Sequence, residues 1–321
     1  MDQEINNVPR ASDIREAFEH INPFINKTPV LTSGTINKLL NTKIFFKCEN
    51  FQKVGAFKAR GATNALMQLD DHILGKGVAT HSSGNHAQAL SWAASLRKCK
   101  AFIVMPSNSS RVKVEAVSSY GGKITFCEPT LAARESTLAM VLKVTGASEI
   151  HPYNDRRIIT GQATAALELI EEIPDLDLIL TPVGGGGLLS GTALAAHYFS
   201  PNTKVIAAEP EQANDAYLSF KEKKFIPSVN PDTIADGLRT SLGSITFPII
   251  MKYVDQIITV SEPSIVSAMR FIWERMKVLI EPSSAVPVAA LLEGKIGADN
   301  KRIGVIISGG NVDLDHLPWL Q

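Results

Sequence analysis

Apolar runs of strand length alternate with stretches of helical spacing along most of the chain. From Ala11 to Ile25 the residues Ile14, Phe18 and Ile21 fall on one helical face, with Ser12 or Asp13 as cap, and Thr28-Pro29 ends the pattern. Lys43–Cys48 reads as a strand and leads through Glu49–Gly61 into a helix from Ala62 to Leu69. Gly77–His81 is the next strand, Ser82–His86 its turn and Ala87–Leu96 its helix. Strand Ala101–Met105, helix Arg111–Tyr120, strand Lys123–Cys127 and helix Ala132–Val144 continue the alternation. Beyond His151–Asp155 come helix Gly161–Ile173, strand Leu176–Leu180, helix Leu188–His197 and strand Lys204–Ala208. Strand Ile257–Val260, helix Glu262–Met276 and strand Gly304–Ser308 complete the pattern. Such alternation predicts an α/β protein with parallel sheets covered on both faces by helices. Residues 75–152 make a block of their own, so a small domain (75–152) is expected inside a large one (1–74 and 153–321), with a site in the cleft where strand C-termini converge.

The turn between strand Leu176–Leu180 and helix Leu188–His197 holds Gly184, Gly185, Gly186 and Gly187 in succession. No Cβ stands between their N–H groups and an approaching ligand, and the start of a helix favours negative charge. A phosphate suits both features, while a loop packed tightly on other backbone would also use glycine. The spacing is not GxGxxG and lacks the Lys-Ser/Thr of a P-loop, so a nucleotide is not the first expectation.

Composition narrows the partners. In 321 residues, Lys+Arg 32 balance Asp+Glu 32, which leaves no basic field for nucleic acid or an acidic membrane and fits a small zwitterionic ligand. Cys48, Cys99 and Cys127 lack CxxC spacing, arguing for core thiols in a reducing compartment. No leader-like or membrane-length apolar run occurs, and a cytoplasmic location is expected.

Lys58, flanked by Phe57 and Ala59 between glycines, sits in an apolar setting that disfavours its ammonium and suits an amine nucleophile. Ser82-Ser-Gly-Asn-His86 offers a second anion seat at a helix start, suited to a carboxylate, or simply a Ser N-cap. Ser308-Gly-Gly-Asn311 ends a strand with a hydroxyl and a bend.

Taken together and in this order, these motifs resemble the fold type II pyridoxal-phosphate enzymes, similar in fold to the tryptophan synthase β subunit, and within them the serine racemase and serine/threonine dehydratase group. The likeness runs from Thr28-Pro-Val-Leu31 to Ser308-Gly-Gly-Asn-Val-Asp313. It implies pyridoxal 5'-phosphate bound as a Schiff base to Lys58 beside Phe57, its phosphate on Gly184 to Gly187, its ring hydroxyl near Asn85 and its ring nitrogen at Ser308. A serine there need not hold that nitrogen protonated, so the ring is a weaker electron sink than one facing an aspartate. On the substrate side it implies Ser82, Ser83, Asn85, His86, Arg134 and Ser241. It implies a divalent cation, Mg²⁺ or Ca²⁺ or Mn²⁺, on Glu209, Asp215 and the carbonyl of Ala213, oxygen ligands that suit a hard ion. A homodimer is expected, and isoleucine control through a C-terminal regulatory domain is not.

The resemblance implies racemisation of serine together with dehydration of L-serine or L-threonine to the 2-oxo acid and ammonia. Lys58 takes the Cα proton; loss of the β-hydroxyl leads to elimination, and a proton from Ser83 on the opposite face gives the D-amino acid. Val54, Ala56 and Ala87 depart from the mammalian racemase pattern, Ala87 being the choice of many dehydratases. Two alternatives stand beside it: a threonine or threo-3-hydroxyaspartate dehydratase in which Arg134 binds a substrate carboxylate, and a regulator that binds the cofactor without turnover.

Overall fold

The computed structural model describes residues 8–82 and 84–320. In chain order its strands are β1 (Val30–Leu31), β2 (Lys43–Cys48), β3 (Val78–His81), β4 (Ala101–Pro106), β5 (Lys123–Cys127), β6 (Ser148–Glu149), β7 (Leu178–Pro182), β8 (Lys204–Pro210), β9 (Gln256–Val260) and β10 (Arg302–Ile307). They form two sheets, a six-stranded one in the order β1-β2-β10-β7-β8-β9 and a four-stranded one in the order β5-β4-β3-β6. Every pairing is parallel except the short β1–β2 edge. The four-stranded sheet comes from one contiguous stretch, and the six-stranded sheet takes strands from both sides of it.

The strands of the large sheet are near-continuous apolar runs because helices cover both faces. One core layer joins Phe46, Leu180, Val305 and Ile307 to the helices Glu262–Met276 and Pro282–Leu292. The other joins Ile179 and Ile306 to Ile14, Leu167 and Leu194. Helices Lys58–Met67 and Arg156–Glu172 cross closely, for a Cβ on Gly161 would lie 2.7 Å from the Gly61 Cα. Parallel pairing puts the C-terminal ends of β2, β7, β8 and β10 along one edge of the large sheet, and the turns that leave those ends carry the predicted motifs. No helix among the described residues is long and apolar enough to cross a membrane.

Candidate active site

Lys58 is the first residue of helix Lys58–Met67, which begins four residues earlier than the apolar spacing predicts. The preceding backbone is tied to the end of β10, with Phe57 N–H donating to the Ser308 carbonyl at 3.0 Å and Ala56 bridging Gly309. The ammonium donates to the Pro152 carbonyl at 2.6 Å and lies 5.2 Å from the centre of the Phe57 ring. Burial lowers the Lys58 amine to about 8, offset in part by the Glu281 carboxylate, so a minor but far larger neutral fraction exists near neutral pH than for an exposed lysine.

Residue 153 follows that carbonyl, and its ring covers the glycine turn: a Cβ on Gly185 would come within 2.3 Å of the Tyr153 ring. Gly186 has φ +87 and begins helix Gly187–Phe199, whose first backbone bond to the preceding turn runs from Ser190 N–H to the Gly186 carbonyl. The N–H groups of Gly184, Gly185, Gly186 and Gly187 donate to no acceptor among the described residues. Thr246 Oγ1 holds the turn by donating to the Gly185 carbonyl at 2.8 Å. The glycines are thus required twice, by close packing against Tyr153, Leu238 and Thr246 and by their free donors, which suit an anion at a helix N-terminus.

Ser308 is buried and shares a 3.0 Å contact with the Ser284 hydroxyl, which also donates to the Gly309 carbonyl at 2.7 Å. Asn85 opens helix Asn85–Leu96; its Oδ1 accepts from Asn311 Nδ2 at 2.8 Å and its Nδ2 donates to both oxygens of Glu281 at 2.9 and 3.0 Å. The buried carboxyl of Glu281 is pushed up to about 7, chiefly by burial and then by Asp236. Sequence reasoning passes over Glu281 because a lone acidic residue before Pro282 looks solvated; it is buried only because the fold brings Asn85 against it from 196 positions away.

Ser82 Oγ accepts the Gly84 N–H at 3.3 Å and so shapes the turn. Ser83 lies outside the described residues. His86 is buried, its Nε2 lies 3.1 Å from the Ile150 carbonyl and burial holds it neutral, which makes it a fixed wall of the site. Arg134 lies in helix Leu131–Thr145 with its Nε buried, and His81 Nδ1 is likewise buried; neither atom has a partner among the described residues. The Arg134 charge helps lower His81, after burial itself. Ser241 turns its hydroxyl to the Ser228 N–H at 2.8 Å, joining two loops.

Glu209 ends β8 and accepts the Ala216 and Tyr217 N–H groups at 3.0 and 2.8 Å, capping helix Asp215–Glu222, while burial and then Asp215 push its carboxyl well above the ordinary range. Ala213 keeps a carbonyl that accepts nothing from the described residues. Asp215 is buried, and neither of its oxygens has a partner at hydrogen-bonding geometry among the described residues. Burial, only partly offset by the nearby Ser228 hydroxyl and Leu242 N–H, raises it to about 7. Among the described residues no cluster of three or more His, Cys, Asp or Glu side chains could hold a metal, so a cation here would rest on two carboxylates and a carbonyl. The orphaned Asp215 oxygens fit such an ion, which would offset the cost of burying two like charges.

Residues 21–309 match the family described as pyridoxal-phosphate dependent enzyme. The chain belongs to that family. Among its relatives, β-hydroxyaspartate dehydratase of Paracoccus denitrificans is 50% identical over 312 residues, covering 97% of this chain and 99% of that protein. Serine racemase of Dictyostelium discoideum is 51% identical over 310 residues, covering 95% of each. The crystal structure of a serine racemase from that organism superposes with a TM-score of 0.91 at 50% identity, covering 96% of this chain and 100% of that one. A pyridoxal 5'-phosphate-dependent aspartate racemase superposes with a TM-score of 0.92 at 38% identity, covering 97% and 98%.

Proposed function

We propose that this enzyme racemises serine and also dehydrates L-serine and L-threonine to the 2-oxo acid and ammonia. The observation that carries the reading is a Lys58 amine of lowered basicity on the carbonyl of Pro152, the residue before Tyr153, which packs against the Gly185–Gly187 turn whose N–H groups have no acceptor among the described residues. Bound pyridoxal phosphate supplies an electron sink that acidifies the Cα–H of an attached amino acid. The chain supplies the rest. The glycine N–H groups hold the phosphate, Phe57 and Asn85 line the ring, and Ser308 offers a neutral hydroxyl to the ring nitrogen. Lys58 carries the cofactor and, once freed, takes the Cα proton; Ser83 serves the opposite face. Ser82, Asn85 and His86 form the seat for the substrate carboxylate, and Ser241 fixes the loop beside it. Near-identity in length and half-identity in sequence to a serine racemase support the assignment.

Glu209, Asp215 and the Ala213 carbonyl would hold Mg²⁺ or a similar hard cation, which supplies charge neutralisation and loop order and touches no substrate. A cytoplasmic homodimer is the setting that goes with this function. Adding L-serine to the purified, cofactor-loaded protein should give D-serine by chiral chromatography and pyruvate by a coupled assay. If neither appears and the visible absorption stays unchanged, the regulator is the better description.

A dicarboxylic substrate is a second reading with its own support. The unpartnered Arg134 Nε and His81 Nδ1 form a buried, electron-poor pair that a distal carboxylate would satisfy. The Paracoccus relative named for β-hydroxyaspartate agrees with it. Comparing kcat/KM for threo-3-hydroxyaspartate and serine in the native enzyme and in Arg134→Ala decides: a loss confined to the diacid supports it, and an equal loss on both removes it.

A further inference from the structure

We infer that Arg60 is a positioning residue for the Lys58 amine, acting through a buried network of four charges on the opposite side of the same helical turn. The inference rests on Lys58 being the cofactor-bearing lysine. Two residues apart in a helix means about 200° apart around its axis, and the two side chains do diverge, Lys58 to the Pro152 carbonyl and Arg60 into the core.

The Arg60, Lys47 and Glu49 side chains are 0% exposed and Glu168 is 2% exposed, so two cations and two anions are sealed together with no net charge. All five guanidinium N–H groups find acceptors. Nε and one Nη2 proton fork onto Glu49 at 2.7 and 2.8 Å; Nη1 and the other Nη2 proton fork onto Glu168 at 2.8 Å each; the last proton reaches Thr164 Oγ1 at 3.2 Å. Lys47 Nζ closes the ring, donating to Glu168 at 2.6 Å and to the Thr28 carbonyl at 2.7 Å, and Thr28 Oγ1 donates to Glu49 at 2.6 Å.

Cohesion alone does not account for this arrangement, because apolar side chains of similar volume hold a core at least as well as a buried ion network. What the double fork supplies is direction. A planar guanidinium held by two carboxylates fixes the rotation of its helix in a way that packing of small residues cannot. Glu49 follows β2, Lys47 lies in it, and Glu168 and Thr164 belong to helix Arg156–Glu172, which starts just after Pro152, the acceptor of the Lys58 proton. The network therefore ties the turn bearing the amine to the elements that carry the opposite wall. Turning the helix by about 10° would carry a side-chain tip ~6 Å from the axis through ~1 Å. A displacement of that size costs on the order of 10²-fold in rate.

The test uses the cofactor-loaded enzyme and Arg60→Lys, which keeps the charge and loses both forks. The expected result is a fall in kcat of roughly 10- to 100-fold, KM held within about threefold, and a displaced midpoint in the pH titration of the cofactor's visible band. Leu167→Ala, a core truncation on helix Arg156–Glu172, serves as a control of comparable melting-temperature loss and is expected to keep kcat and the midpoint. If Arg60→Lys does not fold, the same measurements on Glu168→Gln, which leaves the Glu49 fork in place, take its use, with a smaller fall in kcat expected in the same direction. The inference is overturned if the variant keeps kcat and the midpoint, or loses activity only in step with its melting temperature. Borohydride reduction and peptide mapping of the unaltered holoenzyme separate the two failures: a label away from Lys58 removes the underlying assignment, whereas a label on Lys58 with an unaffected variant removes only the positioning role.

Discussion

The Lys58 amine titrates at about 8 where an exposed lysine holds its proton to 10.5. Uptake of the cofactor by the cofactor-free protein requires the neutral amine, so its rate should climb as pH rises through about 8 and level off above, followed by the growth of the visible band. The same shift has a stability sign: between about 8 and 10.5 the unfolded chain binds the proton more tightly, so this group makes stability rise with pH in that window and costs stability below it. Lys58→Ala should abolish the covalent adduct and both reactions, with peptide mapping after borohydride finding no substitute lysine. At Ser83 the expectation is a separation of products. Ser83→Ala should lower D-serine formation by on the order of 10²–10⁴, the value of a general acid or base, while dehydration of L-serine persists. Chiral product analysis from both enantiomers is the measurement, and equal losses in all rates would show that the hydroxyl only shapes the carboxylate seat.

Among the elements, the glycine turn makes the sharpest prediction. Gly185→Ala puts a methyl group 2.3 Å from the Tyr153 ring, and neither partner has room to yield, since the turn is held by Thr246 on its other side. The variant should bind the cofactor at least tenfold more weakly by fluorescence titration, as the donors proposed to hold its phosphate are displaced. This turn was legible in the residues because a strand, four glycines and a helix leave few other roles. Helix Glu262–Met276 was equally legible, with Ser261 capping it, Pro263 in its first turn and apolar residues on one face. Helix Pro282–Leu292 was not, because it is buried on every side, has no polar face to set a period and contains Pro287. Strands β1 and β6 are two residues each, too short to show any alternation, and exist only through their neighbours. Lys58, Ser308 and the Asn85 turn announce themselves by their local context, whereas Glu281 and the Arg60 network are products of long-range pairing and leave no local pattern.

At the scale of the whole molecule, the Glu209–Asp215 loop proposed to hold a cation is the feature most open to manipulation. Chelation should lower the melting temperature and Mg²⁺ restore it, because an ion bound only by the folded form stabilises it by mass action. Glu209→Ala should have a lower melting temperature from the outset and no longer respond to either, which differential scanning fluorimetry would read directly. β10 is the last of the described strands in chain order yet lies in the middle of the large sheet, between β2 and β7. Thr42, beside β2, meets its partner Lys301 from 259 positions away. At a translation rate of about 5–20 residues per second, β2 waits roughly ten to fifty seconds for its neighbour. Until β10 emerges, β2 and, once made, β7 lack the strand that joins them, and the chain has no Ser308. A nascent chain halted at Asn300 should yield no borohydride-reducible adduct and should be held by chaperones, while one carried past β10 should acquire the cofactor on release.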